Sequence, residues 1–316
     1  MTSSSPPADL PRLAGEVVLV TGAGGFLGRH LCRLLHERGA VVHGTVRNSS
    51  PPPDVDAQRV ELSDASAVAD CFDTVRPSMV FHLAAPVDLD RDPAMFDRLR
   101  PGILDATHNV AQACLTHRAR LVAAGTCEEY GVQVAPFSES MEPRPVSAYS
   151  CLKLAATQWL STLHRVADLQ ATVVRPFLTY GPGQAPARLI PSAVAAAIAK
   201  RPFDITDGRQ TREVNFVDDV VRGILAAAAP HAVGEVINIG GGPELSVRRL
   251  ATLIFELAEA DPGLVRVGTL PRRGGEVARF YGDHRLAASL LGHRPRVSLE
   301  QGLRATIHDA RTHEQG

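Results

Sequence analysis

Two short stretches of the sequence gather side chains that can exchange protons. In the first, "GTCEEYG", residues 125–131, a hydroxyl, a thiol and two carboxylates follow one another. The second, "YSCLK", places Tyr149 and Lys153 four residues apart, and therefore on one face of a helix. A free tyrosine has a pKa of about 10, and a lysine cation beside it favours the phenolate. We therefore predict that Tyr149 and Lys153 interconvert a carbonyl and an alcohol.

A glycine-rich stretch, "TGAGGFLG", lies between an apolar run and a helical pattern. Its glycines Gly22, Gly25 and Gly28 suit a sharp turn, which needs residues without a Cβ. The helix that follows offers free N–H groups and a positive dipole end to a pyrophosphate. A plain tight turn would not need three glycines at this spacing, so we predict a dinucleotide-binding loop.

The second apolar run ends in "HGTVRNSS", where a cofactor with a free ribose 2′-hydroxyl is usually held by Asp or Glu. Neither acid is present. Arg47 stands there instead, followed by Asn48 and Ser49, and a guanidinium pairs well with a 2′-phosphate. We predict NADP(H) in preference to NAD(H). The alternative is that Arg47 is a solvated arginine at a strand end.

The elements that must position these residues alternate along the chain. Apolar runs without polar alternation are each followed by a helical pattern, with long helices at about 95–118 and 148–166. This order is typical of a doubly wound α/β fold with a parallel (Rossmann) sheet, whose ligands lie at the carboxyl ends of the strands. We predict a disordered tail over 1–13, a dinucleotide-binding domain over 14–180, and a smaller C-terminal substrate-binding lobe over 181–316, interleaved with the sheet.

The composition limits the classes of molecule that this protein is expected to bind. The net charge of −1 over 316 residues argues against a nucleic-acid surface, and no apolar run is long enough to span a membrane. The N-terminus lacks the apolar segment of a signal peptide. Five scattered cysteines suit a reducing compartment and show no metal-ligand spacing. We expect a cytoplasmic protein without a metal site.

Over nearly its whole length the chain resembles the extended short-chain dehydrogenase/reductases, specifically the branch that modifies nucleotide sugars. The similar stretches are "TGAGGFLG", "FHLAA", "GTCEEYG", "YSCLK", "RPFLTYGPGQ", "REVNFVDDVVRGI" and "NIGGGPELSV". The resemblance implies a nucleoside-diphosphate sugar bound between the sheet and the C-terminal lobe. It also implies a homodimer formed through the two long helices.

The resemblance assigns roles to individual residues. It implies that Thr126 bonds the sugar oxygen, that Tyr149 is the acid/base, and that Lys153 supports it and holds the nicotinamide ribose. Further cofactor contacts are expected at the glycine loop and at strand ends, from Phe26, Leu27, Leu62, Leu83, Ala84, Ala85 and Pro176.

The residues after Thr126 distinguish the reactions that members of this branch catalyse. Members that dehydrate a hexose resemble Thr-Asp-Glu here, whereas this chain has Cys127 and then Glu128. A thiol is a poor substitute for a carboxylic acid aimed at a leaving hydroxyl. If strand geometry continues, Thr126 and Glu128 point to one side and Cys127 to the other. Cys127 then either packs or contacts substrate, Glu128 binds a sugar hydroxyl or acts as a base, and Glu129 is a solvated or loop-bonding carboxylate.

Two departures from the family pattern affect the substrate site. Ile103 replaces an asparagine of the long helix, and Leu178 replaces the asparagine of "RPFNVYG", whose amide binds pyrophosphate. The diphosphate must then be bound elsewhere. Arg212 and Arg279 are candidates for this contact, with a surface role as the alternative for each.

Together these features favour an NADPH-dependent reductase of a nucleoside-diphosphate 4-keto-6-deoxyhexose in deoxysugar biosynthesis. The expected NADP(H) cofactor is the main reason to favour a reductase, because an NADPH-type pocket suits net reduction. The alternative is a 4,6-dehydratase or 4-epimerase with tightly bound cofactor. A third hypothesis, a cofactor-sensing regulatory or scaffold protein, is disfavoured because Tyr149 and Lys153 are both intact.

Overall fold

The protein is described by a computed structural model that covers residues 10, 13–88, 90–271 and 277–313. In chain order the strands are β1 (Val17–Thr21), β2 (Val41–Val46), β3 (Asp56–Arg59), β4 (Met79–His82), β5 (Arg120–Ala124), β6 (Ala171–Pro176), β7 (Thr179–Tyr180), β8 (Phe203–Ile205), β9 (Thr211–Glu213), β10 (Asn215–Phe216), β11 (Val236–Ile239), β12 (Glu244–Ser246), β13 (Val265–Val267) and β14 (Arg279–Phe280). The helices are α1 (Phe26–Glu37), α2 (Ala65–Val75), α3 (Met95–Arg100), α4 (Ala106–His117), α5 (Ala148–Ala167), α6 (Leu189–Ile198), α7 (Val217–Ala226), α8 (Val247–Leu257), α9 (Arg285–Leu291) and α10 (Leu299–His313).

Seven parallel strands form the central sheet in the order β11-β6-β5-β4-β1-β2-β3. Successive residues of β1 belong to two different cores, with Val18 and Val20 in one and Leu19 in the other. β5 also contributes to both cores, since Val122 lies in the first core and Leu121 in the second. A strand that buries both faces needs an uninterrupted apolar run. The predicted doubly wound fold is confirmed.

Helix starts follow ordinary capping chemistry. The Asp64 carboxylate accepts hydrogen bonds from two N–H groups in the first turn of α2, and Ser147 forms a capping box with Ser150 at the start of α5. The predicted helix over 95–118 consists of α3 and α4 joined by a π-helical turn, Pro101–Asp105. Pro101 has no N–H group for an α-helical bond, which is consistent with a local change of helical pitch there.

After β6 the chain adds β11 to the central sheet and otherwise forms small sheets beside it. β10 pairs with β7, β9 pairs with β12 and β14, and β8 pairs with β13. Helices α6, α8 and α10 pack together next to them. The boundary at residue 180 between two domains stays a prediction. Across the described ranges, none of the helices has the length and apolar character that a bilayer crossing requires.

The predicted disordered tail over 1–13 is wrong at the two positions that the structure describes. Leu10 and Leu13 are buried in the same core as β1 and α1, and the Leu13 N–H donates to the Arg38 carbonyl. Burying these two apolar side chains offsets the entropy lost in ordering them. Residues 1–9, 11 and 12 lie outside the described residues.

Candidate active site

Thr126, Tyr149 and Lys153 come together at the carboxyl end of β5. Thr126 lies just after that strand, and α5 carries the other two residues one turn apart. All three side chains are buried. The Lys153 Nζ donates to the Ala124 carbonyl at 2.6 Å, and the Thr126 side chain is close enough to Tyr149 to lower the pKa of its phenol. The arrangement joins two hydroxyls and an ammonium group at one strand end.

Strand geometry does not continue past β5, so the expectation that Thr126 and Glu128 share one side is wrong in its premise. Cys127–Tyr130 form a 3₁₀ turn instead, with Thr126 as its N-cap. The Thr126 Oγ1 accepts from the Glu128 N–H at 3.2 Å, and the Glu129 carboxylate accepts from the Thr126 N–H at 2.9 Å. This reciprocal capping box satisfies N–H groups that a buried strand end would leave unpaired.

Of the two alternatives for Glu129, the solvated carboxylate is wrong, whereas the loop-bonding carboxylate agrees with its bond to the Thr126 N–H. Glu129 is fully buried, and its Oε2 accepts from Arg175 Nη2 at 2.7 Å and Nε at 2.9 Å. The same guanidinium donates to the Tyr130 hydroxyl, which in turn donates to Asn238 Oδ1 at 2.8 Å. A buried carboxylate requires such a partner, and this one lies 46 residues away in sequence.

Cys127 packs in an aromatic cluster formed with Tyr130, Phe137, Phe177 and Phe280. Burial raises the pKa of its thiol well above the ordinary value, and the neighbouring Glu128 raises it further. A thiol in this environment stays protonated and donates weakly. The structure therefore supports the packing interpretation of Cys127, and its contact with substrate stays a prediction.

Glu128 is a partly buried carboxyl group surrounded by positive charge. Burial raises its pKa, while Arg212, Arg91 and Arg188 act in the opposite direction. Arg212 donates to the Thr211 and Val277 carbonyls, which holds its guanidinium beside Glu128. The sequence-predicted residues Glu128 and Arg212 therefore lie in one electrostatic environment.

The Arg279 guanidinium is paired with an acidic side chain. Its guanidinium forms two hydrogen bonds with the Glu244 carboxylate, at 2.6 and 2.9 Å, and stacks on the Tyr281 ring. An exposed pair of this kind contributes little to stability and exchanges readily with another anion. A diphosphate contact by Arg279 stays a prediction.

The electrostatics of Tyr149 differ from the sequence-based expectation. Burial raises the pKa of its phenol, and the Thr126 side chain lowers it by less. Burial lowers the pKa of Lys153 to about 8, against an opposing effect of Glu129. Desolvation is thus the largest effect on both pKa values. At neutral pH Tyr149 is a protonated donor and Lys153 is mostly charged.

The glycine loop fits a dinucleotide pyrophosphate. Gly22 has a φ of +71°, and a Cβ on Gly28 would lie 2.1 Å from the Gly22 carbonyl oxygen. α1 begins after Gly25 without a side-chain cap, and Phe26 and Leu27 are its first two residues. Uncapped N–H groups at the start of a 12-residue helix are the donors that a diphosphate needs.

The other expected cofactor residues lie at strand ends on the same edge of the sheet. Ala84 donates its N–H to the Thr21 hydroxyl, which bonds the His82 ring at 2.8 Å. The opposite ring nitrogen of His82 bonds Thr107, whose hydroxyl donates to the Ile103 carbonyl. The remaining residues follow β2, β3 or β4, or end β6: Arg47, Asn48, Ser49, Leu62, Leu83, Ala85 and Pro176.

Arg47 is exposed and lines a cavity of about 390 Å³ between the ends of β2 and β3 and helix α3. Ser63 and Arg98 line the same cavity, as do Glu61 and Asp88. Two arginines suit a 2′-phosphate, whereas a carboxylate suits a free 2′-hydroxyl. No cluster of His, Cys, Asp or Glu side chains within the described ranges could hold a metal ion.

Residues 18–240 match the NAD dependent epimerase/dehydratase family. This match covers well over half of the chain. The chain belongs to this family.

Similar members catalyse different reactions on nucleotide sugars. The dTDP-glucose 4,6-dehydratase of Streptomyces griseus is 32% identical over 320 residues, covering 92% of each chain. The UDP-glucose 4-epimerase of Mycolicibacterium smegmatis is 31% identical over 331 residues, covering 94% of this chain and 99% of the relative.

A similar solved structure has the same fold and holds ligands. MoeE5 in complex with UDP-glucuronic acid and NAD is 32% identical, with a TM-score of 0.85 over 95% of this chain and all of MoeE5. The predicted relation to nucleotide-sugar epimerases and dehydratases is confirmed, as is the Rossmann fold.

Sequence reasoning missed the Glu129–Arg175 pair and the Thr21–His82–Thr107 chain. The sequence carries one signal for the pair, since two adjacent glutamates directly after a buried strand are unusual and "VVRPF" places an arginine in another buried strand. Nothing local identifies the chain of hydroxyls and imidazole, because its members are far apart in sequence.

Proposed function

We propose that this family member is a nucleotide-sugar 4-epimerase, which oxidises the C4 hydroxyl of a nucleoside-diphosphate hexose to a ketone and reduces it on the opposite face. The observation that carries the proposal is the meeting of Thr126, Tyr149 and Lys153 at one strand end, with a buried thiol where a dehydratase-type acid would stand. Relatives described as UDP-glucose 4-epimerases support it.

Each of the three residues has a chemical task in this reaction. Tyr149 acts as a phenolate whose own proton has first passed to solvent: it removes the proton from the C4 hydroxyl and returns it when the ketone is reduced. Thr126 donates a hydrogen bond to the same sugar oxygen. Lys153 holds the nicotinamide ribose, and its positive charge favours the phenolate form of Tyr149 when the phenol proton leaves. When bound in the glycine loop, the nicotinamide cofactor supplies reversible hydride transfer.

A 4,6-dehydratase would need an additional acid to protonate the leaving hydroxyl. The position that supplies this acid in Thr-Asp-Glu members is Cys127, which packs among Tyr130, Phe137 and Phe177 with a raised pKa. A neutral thiol facing aromatic rings cannot perform that protonation efficiently. Glu128, whose pKa burial raises, is left to bind a sugar hydroxyl.

A second candidate is the NADPH-dependent reductase of a nucleoside-diphosphate 4-keto-6-deoxyhexose. The observation that favours it is the cavity beside Arg47 and Arg98, because a net reductase must exchange a phosphorylated cofactor each cycle. Epimerisation leaves the cofactor unchanged, whereas reduction consumes it.

The cofactor is proposed to be NADP(H), held through Arg47 and Arg98. Replacing Arg47 by alanine should weaken NADPH binding far more than NADH binding, measured by quenching of the nicotinamide fluorescence. Arg165, an exposed arginine on α5, provides a control whose replacement should change neither affinity. Equal losses for the two cofactors would assign the cavity to NAD(H), with Glu61 or Asp88 on the ribose.

The test of the main proposal is product analysis without and with added cofactor. UDP-glucose, UDP-glucuronic acid and dTDP-glucose are incubated with the enzyme, and proton NMR of the sugar identifies a C4 epimer. The Tyr149→Phe variant should form none. If no epimer appears, and a 4-keto-6-deoxy sugar nucleotide instead consumes NADPH stoichiometrically, the reductase replaces the epimerase.

A further inference from the structure

A buried ion pair lies directly behind the catalytic residues and has no role in the steps above. Glu129 and Arg175 are both buried, and two guanidinium nitrogens bond one carboxylate oxygen. Removing two charges from water costs about as much as their attraction returns, so a buried pair is weak evidence for stability alone. The position of this pair indicates a different role.

The second carboxylate oxygen faces the active site. Glu129 Oε1 accepts from the Thr126 N–H at 2.9 Å and from the Thr157 hydroxyl at 3.2 Å. Thr126 in turn carries the hydroxyl that lowers the pKa of Tyr149. The chain also leaves room for this oxygen, because a Cβ at Gly125 would lie 2.6 Å from it. Glu129 is therefore one hydrogen bond away from a group that contacts substrate.

Glu129 is also the acidic side chain whose charge acts on Lys153, and its Oε1 lies at Gly125, next to the Ala124 carbonyl that Lys153 bonds. The titratable groups facing Lys153 are Glu129 from the turn after β5, His82 from β4 and Tyr149 from α5 itself, with Arg175 behind Glu129 on β6. Burial lowers the pKa of His82 to about 3, so that ring is neutral. Glu129 is the group that opposes the loss of the Lys153 proton.

We propose that Glu129, held in place by Arg175, is a positioning residue: it fixes the backbone of Thr126 and places a negative charge beside the Lys153 ammonium. The inference rests on the proposed function for what Thr126 and Lys153 do. Its structural content does not depend on which sugar nucleotide is converted.

The chain contains only two lysines, Lys153 and Lys200, which makes a direct measurement simple. Protein labelled with ¹⁵N and ¹³C in lysine should give two side-chain signals in a pH titration by NMR. In Glu129→Gln the Lys153 pKa should fall by about one unit or more, because a nearby opposite charge is lost. The exposed Lys200 is the internal reference and should not shift.

Thr157→Val is the matched control, because it removes a hydrogen bond to the same Glu129 oxygen and keeps the charge. Its Lys153 pKa should equal that of the unmodified protein. A merely structural Glu129 would lower stability in Glu129→Gln and leave the Lys153 titration unchanged, which would overturn the proposal.

Glu129→Gln leaves the Arg175 charge unpaired, so this variant is checked for folding by near-ultraviolet circular dichroism. If it does not fold, Glu129→Gln/Arg175→Gln replaces it, since that variant buries two amides and no charge. A smaller fall of the Lys153 pKa is expected there, and no fall overturns the proposal. A shifted Lys153 titration in a protein that epimerises none of the sugars supports the role of Glu129 and rejects the proposed function.

Discussion

Replacing Lys153 by methionine should stabilise the fold at neutral pH and abolish activity. Burial lowers the pKa of Lys153 from 10.5 to about 8. This displacement corresponds to about 3 kcal/mol, at about 1.4 kcal/mol per pKa unit. Methionine avoids that cost but loses the bond to the Ala124 carbonyl, worth about 1 kcal/mol. The net expectation is a gain of about 2 kcal/mol in the free energy of unfolding at pH 7.

The pH dependence makes this prediction specific. Between pH 8 and 10.5 the unfolded chain binds the lysine proton and the folded chain does not, so the stability of the unmodified protein rises with pH. Above that range Lys153 is neutral in both states, and its bond to Ala124 should make the unmodified protein the more stable one. The difference between the two proteins therefore changes sign.

Urea unfolding of both proteins at intervals from pH 7 to 11 measures this difference, and other groups cancel because they are common to both. Lys200→Met is the matched control on the surface and should stay within about 0.5 kcal/mol of the unmodified protein throughout. A Lys153→Met variant that is less stable at pH 7, or a difference that does not vary with pH, would refute the argument that desolvation dominates at this site.

Three further predictions concern the loop, the thiols and the ion pair. Gly28→Ala should weaken nicotinamide dinucleotide binding at least about tenfold, because the new Cβ would lie 2.1 Å from the Gly22 oxygen; unchanged affinity in a fluorescence titration would contradict the pyrophosphate site. Iodoacetamide should add one adduct to the native protein, at the exposed Cys151, and five after urea unfolding, as counted by mass spectrometry. Arg175→Met should lower the free energy of unfolding by about 3–5 kcal/mol, because it leaves Glu129 charged and unpaired, and adding Glu129→Leu should recover most of the loss. No recovery would mean that the pair stabilises the fold in its own right.

Most of the fold was predictable from local patterns. Apolar runs such as "EVVLV" identify strands buried on both faces, and glycine or capping residues mark where helices begin and end. Leu10 and Leu13 were not predictable in this way, because their polar and proline-rich neighbours conceal two side chains that pack onto a distant core. Burial of an isolated leucine depends on what the rest of the chain brings to it.

The residues of the candidate site were predictable from the sequence, whereas their protonation states were less so. The spacing of Tyr149 and Lys153 on one helix follows from the sequence, and so does the position of Thr126 after a strand. The direction of the Tyr149 pKa shift does not, because desolvation raises this pKa whereas a neighbouring cation would lower it, and the depth of burial is not visible in the sequence. Only the depth of burial decides which effect is larger.

By itself the sequence determined the order of strands and helices, the glycine turn and the identity of the hydroxyl, phenol and ammonium groups, because each depends on residues within a turn or two of one another. Tertiary structure alone decided that Glu129 is buried against Arg175, that Cys127 faces aromatic rings, and that the strand after Ala124 gives way to a capped turn. These outcomes depend on partners tens of residues away, whose approach sets the local dielectric and hence the charge that each group carries.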